Sequence, residues 1–147
     1  MAELFVDGMG DVQSMFDNLH NIPDRVLEQM LDAQAEVVIK AQKQSAPIDS
    51  GDMSGSIKPT KVFRSIDDMY KYIYPDGTHH ISQNSRYRHS AGGSRKVTNA
   101  EVGFIHEFGA PGRNIKASQW MKKANEKSAA ETTAAGQEVF DTWVDTL

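Results

Sequence analysis

Apolar residues change their spacing twice along the chain, and the changes mark out its elements. Between Pro23 and Gln44, the positions Val26, Leu27, Met30, Leu31, Gln34, Val37, Val38 and Ala41 recur at helical spacing along one broad face. Asn21 or Ile22 precedes a proline suited to a first helical turn, Asp24 and Glu28 favour the positive N-terminal end, and Lys40 and Lys43 close the segment. This predicts a main helix over residues 23 to 45, about 30 Å long at 1.5 Å per residue. It stops where Ala46 meets Pro47, because the residue before a proline is disfavoured in helical geometry.

The spacing then shortens. "SGSIKPTKVFRSI" carries Ile57, Thr60, Val62, Phe63 and Ile66 and reads as a strand interrupted or edged by Pro59. "DDMYKYIYPDG" places Met69, Tyr70, Tyr72, Ile73 and Tyr74 before a Pro-Asp-Gly turn, a second strand, so residues 56 to 75 form the sheet. Residues 76 to 98 are polar and carry no acid after Asp76; a connection this long inside a compact domain is functional or disordered. "NAEVGFIHEFG", opening the segment 99 to 116, is apolar at Val102, Phe104, Ile105 and Phe108, with Gly109 as a helix stop; strand and short helix are both open.

Helical spacing returns in residues 117 to 147, a helix begun near Ser118 with Trp120, Met121, Ala124, Ala130, Ala134, Phe140, Trp143, Val144 and Leu147 as buried positions. Residues 1 to 22 read as an arm with at most a short amphipathic helix from Asp11 to His20. The order predicts one α+β domain: a long N-terminal helix and a C-terminal helix packed on a small antiparallel sheet, with a long loop. The length of 147 residues fits a single core.

Charge narrows the functional classes. A net charge of -4 argues against a nucleic-acid binder that uses its whole surface and leaves room only for a local basic patch. Cysteine is absent, which removes disulfides, thiolate metal sites and thiol nucleophiles. The opening "MAELFVDGMGDV" has neither a basic start nor an apolar core, and no run of about 18 apolar residues occurs, so neither a signal peptide nor a membrane span is expected.

Catalytic chemistry finds little support. "SAPIDSGDMSGSI", residues 45 to 57, runs into a strand without the lysine of a phosphate-binding loop. It reads as a structural corner: Pro47 ends the helix, Asp49 to Gly51 turn the chain, and Ser54 to Ile57 launch the first strand. His79, His80, His89 and His106 with Glu107 lack the spacing of a helical zinc motif, and Ser45, Ser50, Ser54 and Ser56 lack a nucleophile's context. In "HEFG", Phe108 is expected to pack and Glu107 to form a salt bridge or a cap. No enzyme activity, metal or cofactor is expected. The strongest binding signal is the basic loop, where Arg86, Tyr87, Arg88 and His89, followed by Arg95 and Lys96, combine charge with a stacking ring.

Two segments together resemble the small tail-completion, or head-tail joining, proteins of long-tailed bacteriophages. "APIDSGDMSGSI" is similar to that family's "Ala-Pro-x-Asp-Thr-Gly-x-Leu-x-x-Ser-Ile" at Ala46, Pro47, Asp49, Gly51, Ser56 and Ile57, with Ser50 for threonine and Met53 for leucine. "FIHEFGAPGRNIKASQWMKKA" shares Glu107, Phe108, Gly109 and Ala117, while Lys116, Ser118, Gln119 and Trp120 stand where the family has proline, arginine, proline and phenylalanine.

The resemblance implies a virion structural protein in the neck, a homo-oligomeric ring, expected to be a hexamer, between adjacent head-completion proteins and the tail-terminator or tail-tube proteins. Such a ring surrounds DNA without sequence-specific binding, and a net acidic one lets DNA slide. A tail terminator or minor tail protein is the nearest alternative. A small nucleic-acid-binding module using the arginine and tyrosine loop is the alternative of another class.

Overall fold

The computed structural model describes residues 9–48, 51–78 and 97–147 and is α+β. Its helices are α1 (Met9–His20), α2 (Asp24–Ser45), the single turn α3 (Asp52–Gly55), α4 (Asn99–Phe108) and α5 (Trp120–Val144). Four short strands, β1 (Ile57–Pro59), β2 (Phe63–Arg64), β3 (Met69–Tyr70) and β4 (Ile73–Pro75), lie between α3 and α4.

The strands are one hairpin in two pieces. β1 pairs antiparallel with β4, Ile57 opposite Pro75, and β2 with β3, Phe63 opposite Tyr70. Between the pieces Thr60 keeps the strands bonded, donating its N–H to the Tyr72 carbonyl at 2.8 Å and accepting the Tyr72 N–H on its hydroxyl at 3.0 Å. β1 ends on Pro59, which is paired with Ile73 at a position where the ladder needs no N–H, so the strand is edged by its proline as the sequence allowed.

The main helix starts and stops as expected: it opens after Pro23 and ends at Ser45, and Ala46 is extended before Pro47 (φ -63°, ψ 138°). The N-terminal arm holds more helix than anticipated, with α1 making 12 residues. Its apolar Val12, Met15 and Phe16 are all exposed.

α5 lies antiparallel against α2. Gln42 donates to Asn125 Oδ1 at 3.0 Å near one end, Gln34 meets Gly136 in the middle, and Val26 and Trp143 line one cleft at the other end. Close approach is set by small side chains: Ala124, Ser128 and Gly136 of α5 and Ala35 of α2 are buried, and a Cβ on Gly136 would come within 2.6 Å of Gln34 Nε2. The C-terminal helix thus packs on the main helix and on α4, and the sheet packs on α2. This corrects part of the expected buried face, because Ala130, Ala134 and Leu147 are exposed, whereas Ser128 and Gly136, polar or small in the sequence, face α2. A tight helix pair selects for size before hydrophobicity.

Beyond the ribbon's end, ion pairs lay the hairpin along α2. Arg64 bridges Asp24 at 2.6 Å and Glu28 at 2.9 Å, and Lys71 pairs with Asp32. At the opposite end of α2, the main core gathers Ala46, Met53, Ile57, Val97, Val102, Ile115 and Trp120.

Candidate interaction surface

The corner after α2 turns on Gly51, whose backbone is left-handed (φ 86°), whereas Gly55, equally free to take positive φ, lies in the helical turn. No atom lies within 4 Å of the Cβ it lacks, so its requirement is conformational only. Ser54 does not launch a strand: Asp52–Gly55 form one helical turn, with the Ser54 hydroxyl donating to the Gly51 carbonyl at 3.2 Å, and the strand starts at Ile57. That turn drives Met53 into the core, 3% exposed. Asp49 lies outside the described residues, as does Ser50.

α4 is a helix because Thr98 and Glu101 form a complete capping box. The Glu101 N–H donates to Thr98 Oγ1 at 3.1 Å and the Thr98 N–H to Glu101 Oε2 at 3.0 Å. Asn99 ties its start to the turn after β4, its amide donating to the Asp76 carbonyl at 2.8 Å.

The "Glu-Phe-Gly" at the end of α4 is a joint between helices. Glu107 is buried and its carboxylate accepts the backbone N–H groups of Met121 at 2.7 Å and Lys122 at 3.2 Å. It therefore caps the first turn of α5 from outside, a task that the left-handed Gln119 preceding α5 leaves undone. The expected role of Glu107 as a cap holds.

Gly109 (φ 78°, ψ 172°) then reverses the chain, and a Cβ there would stand 2.7 Å from the Ala117 nitrogen. Gly103 lets Trp120 close over α4, where the indole N–H donates to the Gly103 carbonyl at 3.0 Å. His106, beside this joint, gives its carbonyl to Ser118, and no group of metal-binding side chains occurs among the described residues.

α4 buries Asn99, Val102, Gly103 and Glu107 and packs Ile105 against the core, while Ala100, Phe104 and Phe108 are exposed. Phe104 is 63% and Phe108 64% exposed, their ring centroids 4.6 Å apart. Phe108, expected to pack, does so against Phe104 on the exposed side: Glu107 takes the inward position, and in a helix the next residue points about 100° away. Two apolar grooves flank this ridge. One, of about 490 Å³, is lined by Val97, Ala100, Phe104, Ile105, Ala110 and Arg113, with Glu101. The other, of about 450 Å³, lies toward Tyr74, Pro75 and Met121 and also holds Glu107, Lys122 and Glu126.

A second aromatic surface lies on the distal hairpin, where Phe63, Tyr70 and Tyr72 sit with ring centroids 5.5 to 5.9 Å apart and Lys61 lies 5.7 Å over the Phe63 ring. At the hairpin's base, Lys58 pairs with Asp76 at 2.6 Å. The lysine's hydrogen bond and the Gly77 N–H hold the Asp76 carboxyl below its usual range, and the same contact raises Lys58.

Arg86, Tyr87, Arg88, His89, Arg95 and Lys96, the basic loop's candidate partner-binding residues, lie outside the described residues. The exposed Phe104 and Phe108 were visible in the sequence as apolar letters in a segment open to strand or short helix. Their outward direction depended on Glu107 pointing in. Compared with known proteins, the chain matches no family model, no curated protein and no solved structure.

Proposed function

We propose that this chain is a non-enzymatic structural protein of the neck of a long-tailed bacteriophage, forming a ring that joins the tail to the DNA-filled head. The observation that supports it most directly is where the two signature segments meet. Ala46, Met53 and Ile57 from the first and Ile115 and Trp120 from the second share one buried cluster. The two segments are therefore parts of one built unit, with Met53 at the place of the family's leucine and Trp120, which departs from the family, at that of its phenylalanine.

The surface supports the same reading. An exposed ridge of two phenylalanines between apolar grooves is the kind of patch that marks contact with other chains. A ring of this kind has a body held by its own core and side surfaces left for neighbours.

Images of intact particles of the encoding phage test the proposal. Density for this chain as a ring at the head-tail junction is the expected result, and its absence from that junction refutes the proposal. Density on the tube side of that junction, at the end of the tail tube or along it, assigns the chain to the tail terminator or minor tail proteins instead. Salt-dependent DNA binding by the isolated protein favours the nucleic-acid module.

A further inference from the structure

The hairpin that runs from β1 to β4 changes register halfway along. Thr60 stands opposite Tyr72, yet Phe63 stands opposite Tyr70, so Lys61 and Val62 on one strand face Lys71 alone on the other. Two residues against one is a β-bulge, which bends the strand and turns the side chains beyond it to the other face. Without the bulge, Phe63 would continue the buried face of Ile57 and Arg64 the face of Lys58. With it, Phe63 joins Tyr70 and Tyr72 in the outer aromatic cluster, and Arg64 joins Met69 and Lys71 on the face toward α2.

There the two cations meet a row of acids. Arg64 reaches Asp24 at 2.6 Å and Glu28 at 2.9 Å, and Lys71 pairs with Asp32. Positions 24, 28 and 32 follow one another at a helical turn's spacing and line one side of α2. Burial adds little to this hold. Met69 beside the cations is half-buried, no residue from 58 to 74 is buried, and neither β2 nor β3 contributes to the main core. Exposed ion pairs are weak and are screened by salt, and a segment with few buried contacts opens before the body it rests on.

We propose that residues 61 to 71 form a hinged arm, latched on α2 by Arg64 and Lys71 and pivoting at the bulge, which swings off when the latch is screened or removed while the helical body stays folded. Release starts at the tip, because the Arg64 side chain is 48% exposed and that of Lys71 only 13%. The opened arm carries its turn outward, with Ile66 fully exposed beside Asp67 and Asp68, and bares the acid row of α2. The arm belongs to the single chain and stands whether or not the chain joins a phage neck.

The absence of cysteine allows spin labels at chosen sites. Asp67→Cys in the arm's turn and Lys40→Cys, exposed on α2, are labelled in the full chain and diluted with unlabelled protein. Their separation is read by pulsed electron spin resonance at about 10 mM and about 1 M sodium chloride, between which the screening length falls from about 30 Å to about 3 Å. One narrow distance is expected at low salt and a broad, longer distribution at high salt. Arg64→Gln with Lys71→Gln should give the broad distribution at both, and Arg64→Lys with Lys71→Arg, which keeps both charges, should restore the salt dependence. A second labelled pair, Lys43→Cys with Lys127→Cys across α2 and α5, should keep its distance throughout.

A narrow arm distance that survives high salt or the glutamine changes means that packing seats the ribbon, and it overturns the proposal. So does a broad arm distance at low salt with the latch intact, or a body pair that loses its distance together with the arm.

Discussion

Single residues carry the joint between α4 and α5, and the two positive-φ glycines of the signature segments separate two kinds of requirement. Gly109 is in a region of backbone space open essentially to glycine alone, and its missing Cβ would also meet the Ala117 backbone. Gly109→Ala is therefore expected to cost more than about 2 kcal/mol in urea unfolding, strain and clash together. Gly51 has the positive φ but open space, so Gly51→Ala should cost only about 1–2 kcal/mol and Gly51→Asn less, since asparagine tolerates left-handed backbone. Equal costs at the two positions would contradict this account. Glu107→Gln keeps an oxygen for one backbone N–H but loses the charge at the start of α5 and is expected to lower stability by about 1–2 kcal/mol.

At the scale of elements, the α2–α5 pair is a seam of small and polar side chains. Gln42 is 2% exposed; its amide nitrogen reaches Asn125, and its Oε1 has no hydrogen-bond partner among the described residues. An unsatisfied buried oxygen costs about 1–3 kcal/mol, so Gln42→Met, of similar shape, should raise the thermal midpoint. Gly136→Leu should lower stability by about 1–3 kcal/mol by forcing the helices apart at Gln34. At the hairpin's base an exposed ion pair, Lys58 with Asp76, adds to the burial of Ile57 and Pro75. Asp76 is held below its usual range when folded, so its contribution is complete above the ordinary carboxylate pKa, about 3.9, and is lost as pH falls through the folded value. Lys58 is raised, so its share is complete below the ordinary lysine value and lost as pH rises through the folded one. Replacing Asp76 with Asn should flatten the acid limb of the stability profile and leave neutral pH little changed, because the pair is exposed and screened.

For the whole molecule, the body and the reaching parts are distinct. The core at one end and the α2–α5 seam hold the fold, while α1, the α4 ridge and the hairpin aromatics face outward. In the neck reading, deletion of Ser85 to Lys96 leaves the circular dichroism of the monomer intact and impairs tail attachment. Full infectivity of phage carrying that deletion would count against a role for the basic loop. The net charge of -4 predicts that the assembled protein does not retain duplex DNA at moderate salt, readable as the absence of a gel shift.

The main helix and its stop at Ala46–Pro47 were readable from residue order, because a proline restricts the backbone within a few positions, whereas glycine alone did not say that Gly51 and not Gly55 takes positive φ. The α+β class followed from the changes in apolar spacing. Tertiary structure decided which side of a short or small-residue helix faces in. Nothing local in "NAEVGFIHEF" says that Glu107 is buried and Phe108 exposed; the bare N-terminus of α5, some 14 positions later, imposes it. Nothing in the alanine-rich tail ranks Ser128 and Gly136 above Ala130 and Ala134 until α2 lies against them. Local rules end where one element's face is chosen by the needs of another.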